Sequence, residues 1–284
     1  MDAYGNISIN TTKKGATMKY QPKTKAGLQK LVKNEAVYLG DIDTSLITDM
    51  SKIFKESKRE DFSGIELWDV GQVTDMRGTF ANTESFNQPL EKWDVSQVTN
   101  MESMFEYAEA FNQPLAKWNV SNVENMNRMF FGADSFNQPL GKWDVSNVTD
   151  MGWMFSGTES FNQPLEKWDV SQVTDMGFMF GGAKSFNQPL AKWNVRNVWN
   201  MEAMFAGAKV FNQPLLWWDV SKVKNMNSMF CDAEAFNQPL FLWDVRKVEN
   251  MEKMFAGAES FKQKVENLEN RAQEIHNDKN IIYG

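Results

Sequence analysis

The sequence is poor in the residues that most often carry chemistry, with one cysteine, Cys231, and one histidine, His276, among 284 residues. A single cysteine excludes an internal disulfide, so the fold must rest on its apolar core. The sequence also contains neither a glycine-rich phosphate-binding loop nor cysteine and histidine at metal-ligand spacing. These absences predict that the protein is not an enzyme and binds neither a metal ion nor a cofactor.

Long apolar segments are missing as well. No apolar run reaches the roughly 18 residues that a spanning helix needs, so membrane insertion is not expected. The net charge is −7, and because residues 1–34 carry seven lysines and one aspartate (+6), the remainder carries −13. An acidic body of this kind is not expected to bind nucleic acid, which requires a basic surface.

What the sequence does contain is a 25-residue repeat. Eight tryptophans, here called the register tryptophans, mark it without a shift: Trp68, Trp93, Trp118, Trp143, Trp168, Trp193, Trp218 and Trp243. A fixed period between about 20 and 50 residues is typical of a solenoid, in which each coil buries its apolar side against neighbouring coils. The repeat therefore predicts one elongated domain.

Each repeat contains two local patterns. Apolar and polar residues alternate over Leu90–Val95, which predicts a short strand that pairs in parallel with the next coil. The apolar residues of Met101–Phe105 stand at i, i+3 and i+4, which predicts one short helical turn. The predicted fold class is an α/β solenoid, a right-handed leucine-rich-repeat-like coil with one short parallel strand and one short helical turn per repeat.

Two polar features of the repeat are explained by backbone chemistry. The residue before Met101 is Asn100, and every copy has Asp or Asn here, since both side chains accept hydrogen bonds from the free N–H groups of a first turn. The alternative, a column of metal-binding carboxylates, is disfavoured because Asn predominates. The segment Phe111–Leu115, Phe-Asn-Gln-Pro-Leu, returns the chain to the next coil, and its amides are expected to satisfy backbone groups.

The two ends of the chain depart from the repeat. Residues 1–18 are predicted to be a flexible lead, residues 19–61 an N-terminal cap helix and a degenerate first coil, and residues 62–260 the repeat solenoid. Residues 261–284 are predicted to form a C-terminal capping helix and tail, because apolar side chains recur at helical spacing: Phe261, Val265, Leu268, Ala272 and Ile275. His276 lies just beyond this stripe and is expected to be solvated.

The repeat unit resembles that of a known family. The segment Trp143–Leu165 is similar to the repeats of BspA-like bacterial surface proteins in two motifs, Trp-Asp-Val-Ser-Asn-Val-Thr-Asp-Met-x-x-Met-Phe and Phe-Asn-Gln-Pro-Leu. The resemblance covers about residues 36–262. It implies a leucine-rich-repeat-like solenoid that acts in adhesion or interaction, and it brings no characteristic active site. Val98 stands where a leucine-rich repeat has Asn or Cys, so the usual asparagine ladder is not expected there.

Specific function is best sought where the copies differ, because repeated positions are explained by the stacking of coils. Trp153 and Phe178 occupy one position in adjacent coils, where other coils carry Ser, Arg, Ala or Lys, so two rings are expected to stack on the surface. Together with three other aromatic residues outside the repeated positions they are predicted to bind a partner over the C-terminal half: Trp153, Phe178, Trp199, Trp217 and Phe241. The alternative is that these rings only pack against flanking segments.

The predicted function is therefore non-enzymatic binding or adhesion, in which a rigid solenoid surface contacts a protein or a glycan. The alternative is an intracellular or secreted effector-type scaffold for protein interaction. The family resemblance implies a location at the cell surface or outside the cell. The first residues carry no apolar segment of a signal peptide, which fits a cytoplasmic protein instead.

Overall fold

The computed structural model describes residues 11–13 and 16–284. Most of the predicted flexible lead, residues 1–10 and 14–15, lies outside the described residues. Two short antiparallel strands do fall within that lead, β1 (Thr11–Lys13) and β2 (Ala16–Met18). From there the chain forms a helix, a stack of coils and a second helix, with 3-10 helices at Leu39–Asp41, Ile65–Leu67 and Lys279–Tyr283.

Helix α1 (Lys25–Lys33) packs on the first coil. Thr24 Oγ1 accepts a hydrogen bond from Gly27 N at 3.1 Å, which satisfies one of the free N–H groups at the start of the helix. Arg59, 3% exposed, ties the helix to the following segment by donating to the carbonyls of Val32 (3.2 Å) and Val37 (2.5 Å). The apolar face of the helix is buried, as its sequence pattern predicts: Leu28, Leu31 and Val32.

Three columns of aromatic rings fill the interior of the stacked coils. Register tryptophans of adjacent coils, such as Trp68 and Trp93, lie parallel with 6.4 Å between ring centroids. The phenylalanine that ends the Met-x-x-Met-Phe motif stacks on its own coil's return phenylalanine, with 4.0 Å between the centroids of Phe105 and Phe111. Because both rings also stack on their counterparts in the next coil, the core is continuous from coil to coil.

Each register tryptophan is also hydrogen-bonded to the coil before it. The Trp118 indole N–H donates to the backbone carbonyl of Leu90 (2.9 Å), and Trp143 donates to Leu115 (3.0 Å). The same bond recurs through the remaining coils to Trp243. Phenylalanine could fill much of this space but could not donate the bond, which explains why tryptophan marks the register.

The strand predicted over Leu90–Val95 is not found. The backbone here closes turns instead, since Trp93 N donates to Leu90 O (3.0 Å) and Val98 N donates to Val95 O (3.0 Å). Parallel pairing in the described part of the chain is confined to isolated bridges. One joins Tyr20 to Ile42, and the others lie one per coil at the Asp or Asn that precedes the Met-x-x-Met-Phe motif or its counterpart in the first coil. The chain is a solenoid of turns, and the predicted parallel strand per coil is not part of it.

The segment predicted as a helical turn also differs. Alternate N–H groups leave the coil: Met101 N donates to Asn125 O (2.9 Å) and Ser103 N to Asn127 O (2.8 Å) of the next coil. The intervening groups close turns within the coil, as when Met104 N donates to Met101 O (3.1 Å). Ser103 has a φ of 55°, which a helix does not allow. The alternation satisfies the backbone without a helix or a strand.

The return segments form an asparagine ladder between coils. Asn112 Oδ1 accepts hydrogen bonds from Asn137 N (3.0 Å) and Gln138 Nε2 (3.0 Å) of the next coil, and the arrangement recurs along the stack. The prediction that these amides satisfy backbone groups is confirmed. The ladder lies in Phe-Asn-Gln-Pro-Leu and not at the position of Val98.

The C-terminal cap begins later than its apolar stripe. Phe261 still belongs to the last coil, because Lys262 N and Gln263 Nε2 donate to Asn237 Oδ1 as in a regular return segment. Helix α2 spans Glu266–His276 and buries Leu268 and Ala272. Neither α1 nor α2 has the length or apolar character to cross a bilayer, and the described residues contain no other α-helix.

The last 3-10 helix, Lys279–Tyr283, ends the ladder of the final coil. Its carbonyls accept the bonds that a further coil would accept, from Lys253 N to Ile281 O (2.9 Å) and from Phe255 N to Ile282 O (2.6 Å). The prediction that His276 is solvated is wrong, since its side chain is only 15% exposed and Nδ1 lies 3.6 Å from a Glu252 carboxylate oxygen.

Candidate binding surfaces

The five aromatic residues singled out in the sequence lie at three separate places. We call them the aromatic ridge (Tyr107, Arg128, Phe131, Trp153 and Phe178), the apolar corner (Leu216, Trp217, Phe241 and Leu242) and the amide face (Thr99, Asn122, Asn147, Thr149, Thr174 and Trp199). Within the described part of the chain, no aromatic ring contact joins Trp199, Trp217 or Phe241 to the pair Trp153–Phe178. The single patch predicted from the sequence is therefore divided among three surfaces.

The aromatic ridge is a connected row of side chains. The rings of Trp153 and Phe178 stack with 3.8 Å between centroids and 7° between planes, as predicted. Phe131 meets Trp153 edge-on at 5.5 Å and Tyr107 at 4.9 Å. The Arg128 guanidinium lies 5.2 Å from the Trp153 ring, within the range of a cation–π contact. The side chains of the row therefore pack against one another and stay partly exposed to solvent. Both alternatives predicted from the sequence, packing and surface exposure, apply to them in part.

Tyr107, Arg128 and Phe131 were absent from the predicted set of binding residues. The signal for Tyr107 and Phe131 is that they are aromatic at positions where other coils carry mostly Gly or small residues. Arg128 holds the position of Trp153 in the coil before and gives no such signal. The left-handed φ of Trp153 (61°) and of Phe178 (57°) is shared by the equivalent residue of other coils, such as Ser103. The conformation thus belongs to the scaffold, and only the size of the side chain is particular to the ridge.

The apolar corner replaces charged residues by large apolar ones. Trp217 is 77% exposed, Phe241 59% and Leu242 49%. In regular coils the residue equivalent to Trp217 is Lys, and where the preceding coil has Glu at the position of Phe241 the two pair, as Lys117 Nζ does with Glu91 Oε2 at 3.3 Å. The corner exposes apolar area that the repeat elsewhere gives to ion pairs, which is typical of an interaction surface.

The amide face lies on a different side of the coils. Trp199, 46% exposed, takes the position that Thr174 and Thr149 hold in the two preceding coils. The hydroxyls of this column donate to the coil before, Thr174 Oγ1 to Thr149 O and Thr149 Oγ1 to Glu124 O, both at 3.2 Å. The face comprises a shallow groove of hydroxyl and amide groups with one carboxylate, Glu124, and the same column continues through Thr174 to the indole ring of Trp199.

The shifted pKa values of the ionisable side chains are accounted for by burial, hydrogen bonds and ion pairs. Burial raises the pKa of the Cys231 thiol, and the neighbouring Asp232 carboxylate adds to the effect, so the thiol is not a ready nucleophile. A hydrogen bond from Arg246 lowers the pKa of Asp244 to about 2. This is an exposed structural ion pair. In residues 19–284, whose side chains are described, no three His, Cys, Asp or Glu side chains converge as metal ligands would.

The family comparison agrees with the array of coils. Residues 26–135, 115–213 and 188–282 each match the family described as "Mycoplasma protein of unknown function, DUF285". The chain belongs to this family. Successive DUF285 matches overlap, which is expected when a unit of several coils meets a longer array of equivalent coils. Searches of the curated proteins and of the solved structures found no significant match.

Proposed function

We propose that this DUF285 protein is a non-enzymatic binding module whose rigid solenoid presents its surface to a protein or glycan partner. The observation that carries the proposal is the exposure of large aromatic rings where the repeat provides charged or hydroxyl side chains. Trp217 is 77% exposed at a position that regular coils give to Lys, and Phe241 is 59% exposed at one that they give to Glu, Ala or Gly. Exposed rings of this size cost hydration free energy, which burial against a partner recovers.

The scaffold is suited to binding because its surface is already ordered. Each coil is hydrogen-bonded to the next through alternate backbone N–H groups, the indole of the register tryptophan and the asparagine ladder. Side chains carried on such a scaffold lose little conformational freedom when a partner binds. The repeat therefore supplies rigidity, and the exceptions to it supply specificity.

The partner test uses reversion to residues that other coils already carry. The variants are Trp153→Ser with Phe178→Ala for the aromatic ridge, and Trp217→Lys with Phe241→Glu for the apolar corner. Lys117→Ala with Lys142→Ala is the matched control in regular coils. Immobilised protein is exposed to membrane and extracellular fractions, and captured material is quantified beside melting temperatures.

Reversion of the ridge or of the corner is expected to reduce capture at least tenfold with the fold intact, while the control pair keeps it. Equal capture by all three pairs in folded protein would overturn the proposal. In that case the rings serve packing alone.

The resemblance to BspA-like repeats supports a further part of the proposal, display at the cell surface. Protease added to intact cells is expected to digest the protein while a cytoplasmic marker survives. Protection of the protein until the cells are lysed would instead favour the alternative, an interaction scaffold inside the cell.

A further inference from the structure

The amide face differs from the other two surfaces in its chemistry. Its residues are exposed hydroxyls and amides, with Gln97 and Gln172 beside them and Glu124 as the one carboxylate along the groove. The next coil continues the column from Thr174 to Trp199, whose backbone N–H donates to the Thr174 carbonyl at 3.0 Å. A hydrogen-bonding groove with a single carboxylate is thus followed, in the next coils of the same column, by Thr174 and an exposed indole.

The polar groups of this face are held in place by the coil before. Asn122 Nδ2 donates to Ser96 O and Asn147 Nδ2 donates to Ser121 O, both at 2.7 Å. These bonds leave each amide oxygen available as an acceptor at a fixed position. The hydroxyl oxygens of the threonine column are placed in the same way by the bonds they donate. The face therefore presents acceptors at intervals of one coil, about 4.8 Å if coils are spaced as paired strands are.

A matching ligand must carry a hydrogen-bond donor at regular intervals along its length. A linear oligosaccharide does so, because every sugar ring bears hydroxyls that both donate and accept. Gln97 and Gln172 make no hydrogen bond to described side chains or backbone, so their amides can donate to sugar oxygens in return. An extended peptide fits less well, since strand addition requires a free strand edge, which the coils in the described residues lack.

Trp199 completes the match. A sugar ring has an apolar face of C–H groups that packs on a flat aromatic ring, and Trp199, 46% exposed, is the aromatic residue that follows Thr174 in this column. The Trp153 indole cannot take this role, because Phe178 covers one side of it at 3.8 Å and Arg128 approaches at 5.2 Å. Beyond Trp199, Lys224 and Glu249 pair at 3.1 Å and so offer no net charge to a charged sugar.

From this arrangement we infer that the amide face binds a linear, uncharged oligosaccharide, with one sugar ring stacked on Trp199. The inference rests on the proposed binding function and names the ligand class of one of its three surfaces. Asn122 and Asn147 accept from sugar hydroxyls in the middle of the groove.

The test is calorimetric titration of the full chain with three uncharged hexasaccharides, chitohexaose, xylohexaose and maltohexaose. Trp199→Thr restores the residue of the preceding coil, so the variant is expected to fold, which its melting temperature and circular dichroism check. At least one hexasaccharide is expected to bind the unaltered chain and to bind Trp199→Thr at least tenfold more weakly. Asn147→Ala, which removes the amide acceptor, is expected to weaken binding as well. Lys142→Ala, at an exposed residue of a regular coil outside the three surfaces, is the control and leaves the affinity unchanged.

Three results overturn the inference: no hexasaccharide binds, Trp199→Thr binds as tightly as the unaltered chain, or hexagalacturonic acid binds more tightly than the uncharged probes. The proposed function is tested separately. If no hexasaccharide binds but reversion of the aromatic ridge or of the apolar corner still reduces partner capture, the protein remains a binding module and only the glycan site is ruled out.

Discussion

Two adjacent tryptophans show how the same side chain serves two purposes in this molecule. Trp218 is 3% exposed and donates its indole N–H to the Leu190 carbonyl at 3.0 Å, whereas Trp217 is 77% exposed. The difference is one of position in the 25-residue period, because Trp218 lies on the inner side of its coil and Trp217 replaces an outer lysine. Aromatic content alone would not separate scaffold from surface, and the period does.

The comparison predicts that interior and exterior aromatics respond differently to substitution. The largest effect is expected for Phe130→Ala in the middle of the stack. Phe130 is fully buried and stacks on four rings: Phe105 (5.6 Å), Phe155 (5.7 Å), Phe136 (4.1 Å) and Trp143 (6.4 Å). Removing it leaves a cavity that costs about 3–5 kcal/mol in the free energy of unfolding, measured by urea denaturation.

The exterior counterpart is Phe241→Ala, which should change the free energy of unfolding by less than about 0.5 kcal/mol. Similar losses for Phe130→Ala and Phe241→Ala would break the distinction between scaffold and surface, because they would mean that Phe241 is packed.

A smaller effect is expected where the substitution removes one hydrogen bond and little volume. Trp168→Phe removes the indole N–H that donates to the Leu140 carbonyl at 3.0 Å, while that carbonyl keeps the bond that it accepts from Trp143 N at 3.0 Å. The expected loss, from one hydrogen bond and a smaller ring, is about 1–3 kcal/mol in the free energy of unfolding. Trp217→Phe, measured in parallel, should lie within about 0.5 kcal/mol of the unaltered chain. A harmless Trp168→Phe would show that the indole hydrogen bond does not explain why tryptophan holds the register position.

The asparagine ladder, which is partly exposed, should give an intermediate result. Asn137→Ala removes the acceptor of Asn162 N (3.0 Å) and Gln163 Nε2 (2.9 Å), with an expected loss of about 1–2 kcal/mol by the same measurement. Asn194→Ala is the control, since that side chain is exposed and accepts one long bond from Arg196 N at 3.4 Å. If both variants are equally stable, the ladder contributes nothing beyond the backbone.

The smallest effect is expected for Tyr283, which is 38% exposed and so lies between the buried and the fully exposed aromatic residues. Burial, followed by its hydrogen bond to Glu269 (3.0 Å), raises the pKa of Tyr283 to about 12 from an ordinary value of 10.0. The folded state therefore holds the phenolic proton more tightly than the unfolded state. The stabilisation is fully present below pH 10 and is lost as the pH rises towards 12.

The check compares Tyr283→Phe with the unaltered chain in urea denaturation between pH 8 and 11. The fall in the free energy of unfolding above pH 10.0 should be shallower in Tyr283→Phe. If the free energies of unfolding of the two chains fall in parallel with pH, the ionisation of Tyr283 does not contribute to stability.

Much of the architecture could be predicted from the sequence, because period and apolarity are properties of the chain itself. The array of coils, the buried register tryptophans and the buried face of α1 all follow from residue spacing. The secondary structure within a coil did not follow. The alternation over Leu90–Val95 has the pattern of a strand, but each N–H can be satisfied either by a turn or by a neighbouring coil, and the geometry of stacking decides between them.

The candidate surfaces were likewise predicted only in part from the sequence. The exceptions Trp153, Phe178, Trp199, Trp217 and Phe241 could be recognised from the sequence because the repeat defines what is expected at each position. Their grouping could not, since residues 25 apart come together only when coils stack. Arg128 contacts Trp153 because it holds the same repeat position in the coil before, and Phe131 contacts it from three residues further along that coil.

The sequence by itself determined that the chain is a solenoid with a 25-residue coil, which residues fill its core, and which residues break its pattern. A periodic sequence can satisfy its apolar residues only by repeating one packing arrangement, so period and core follow together. The tertiary structure alone decided that the coils are joined by turns and ladders and that the exceptions lie on three surfaces. Hydrogen-bond partners and neighbours of this kind depend on the offset between adjacent coils, and no single repeat contains that information.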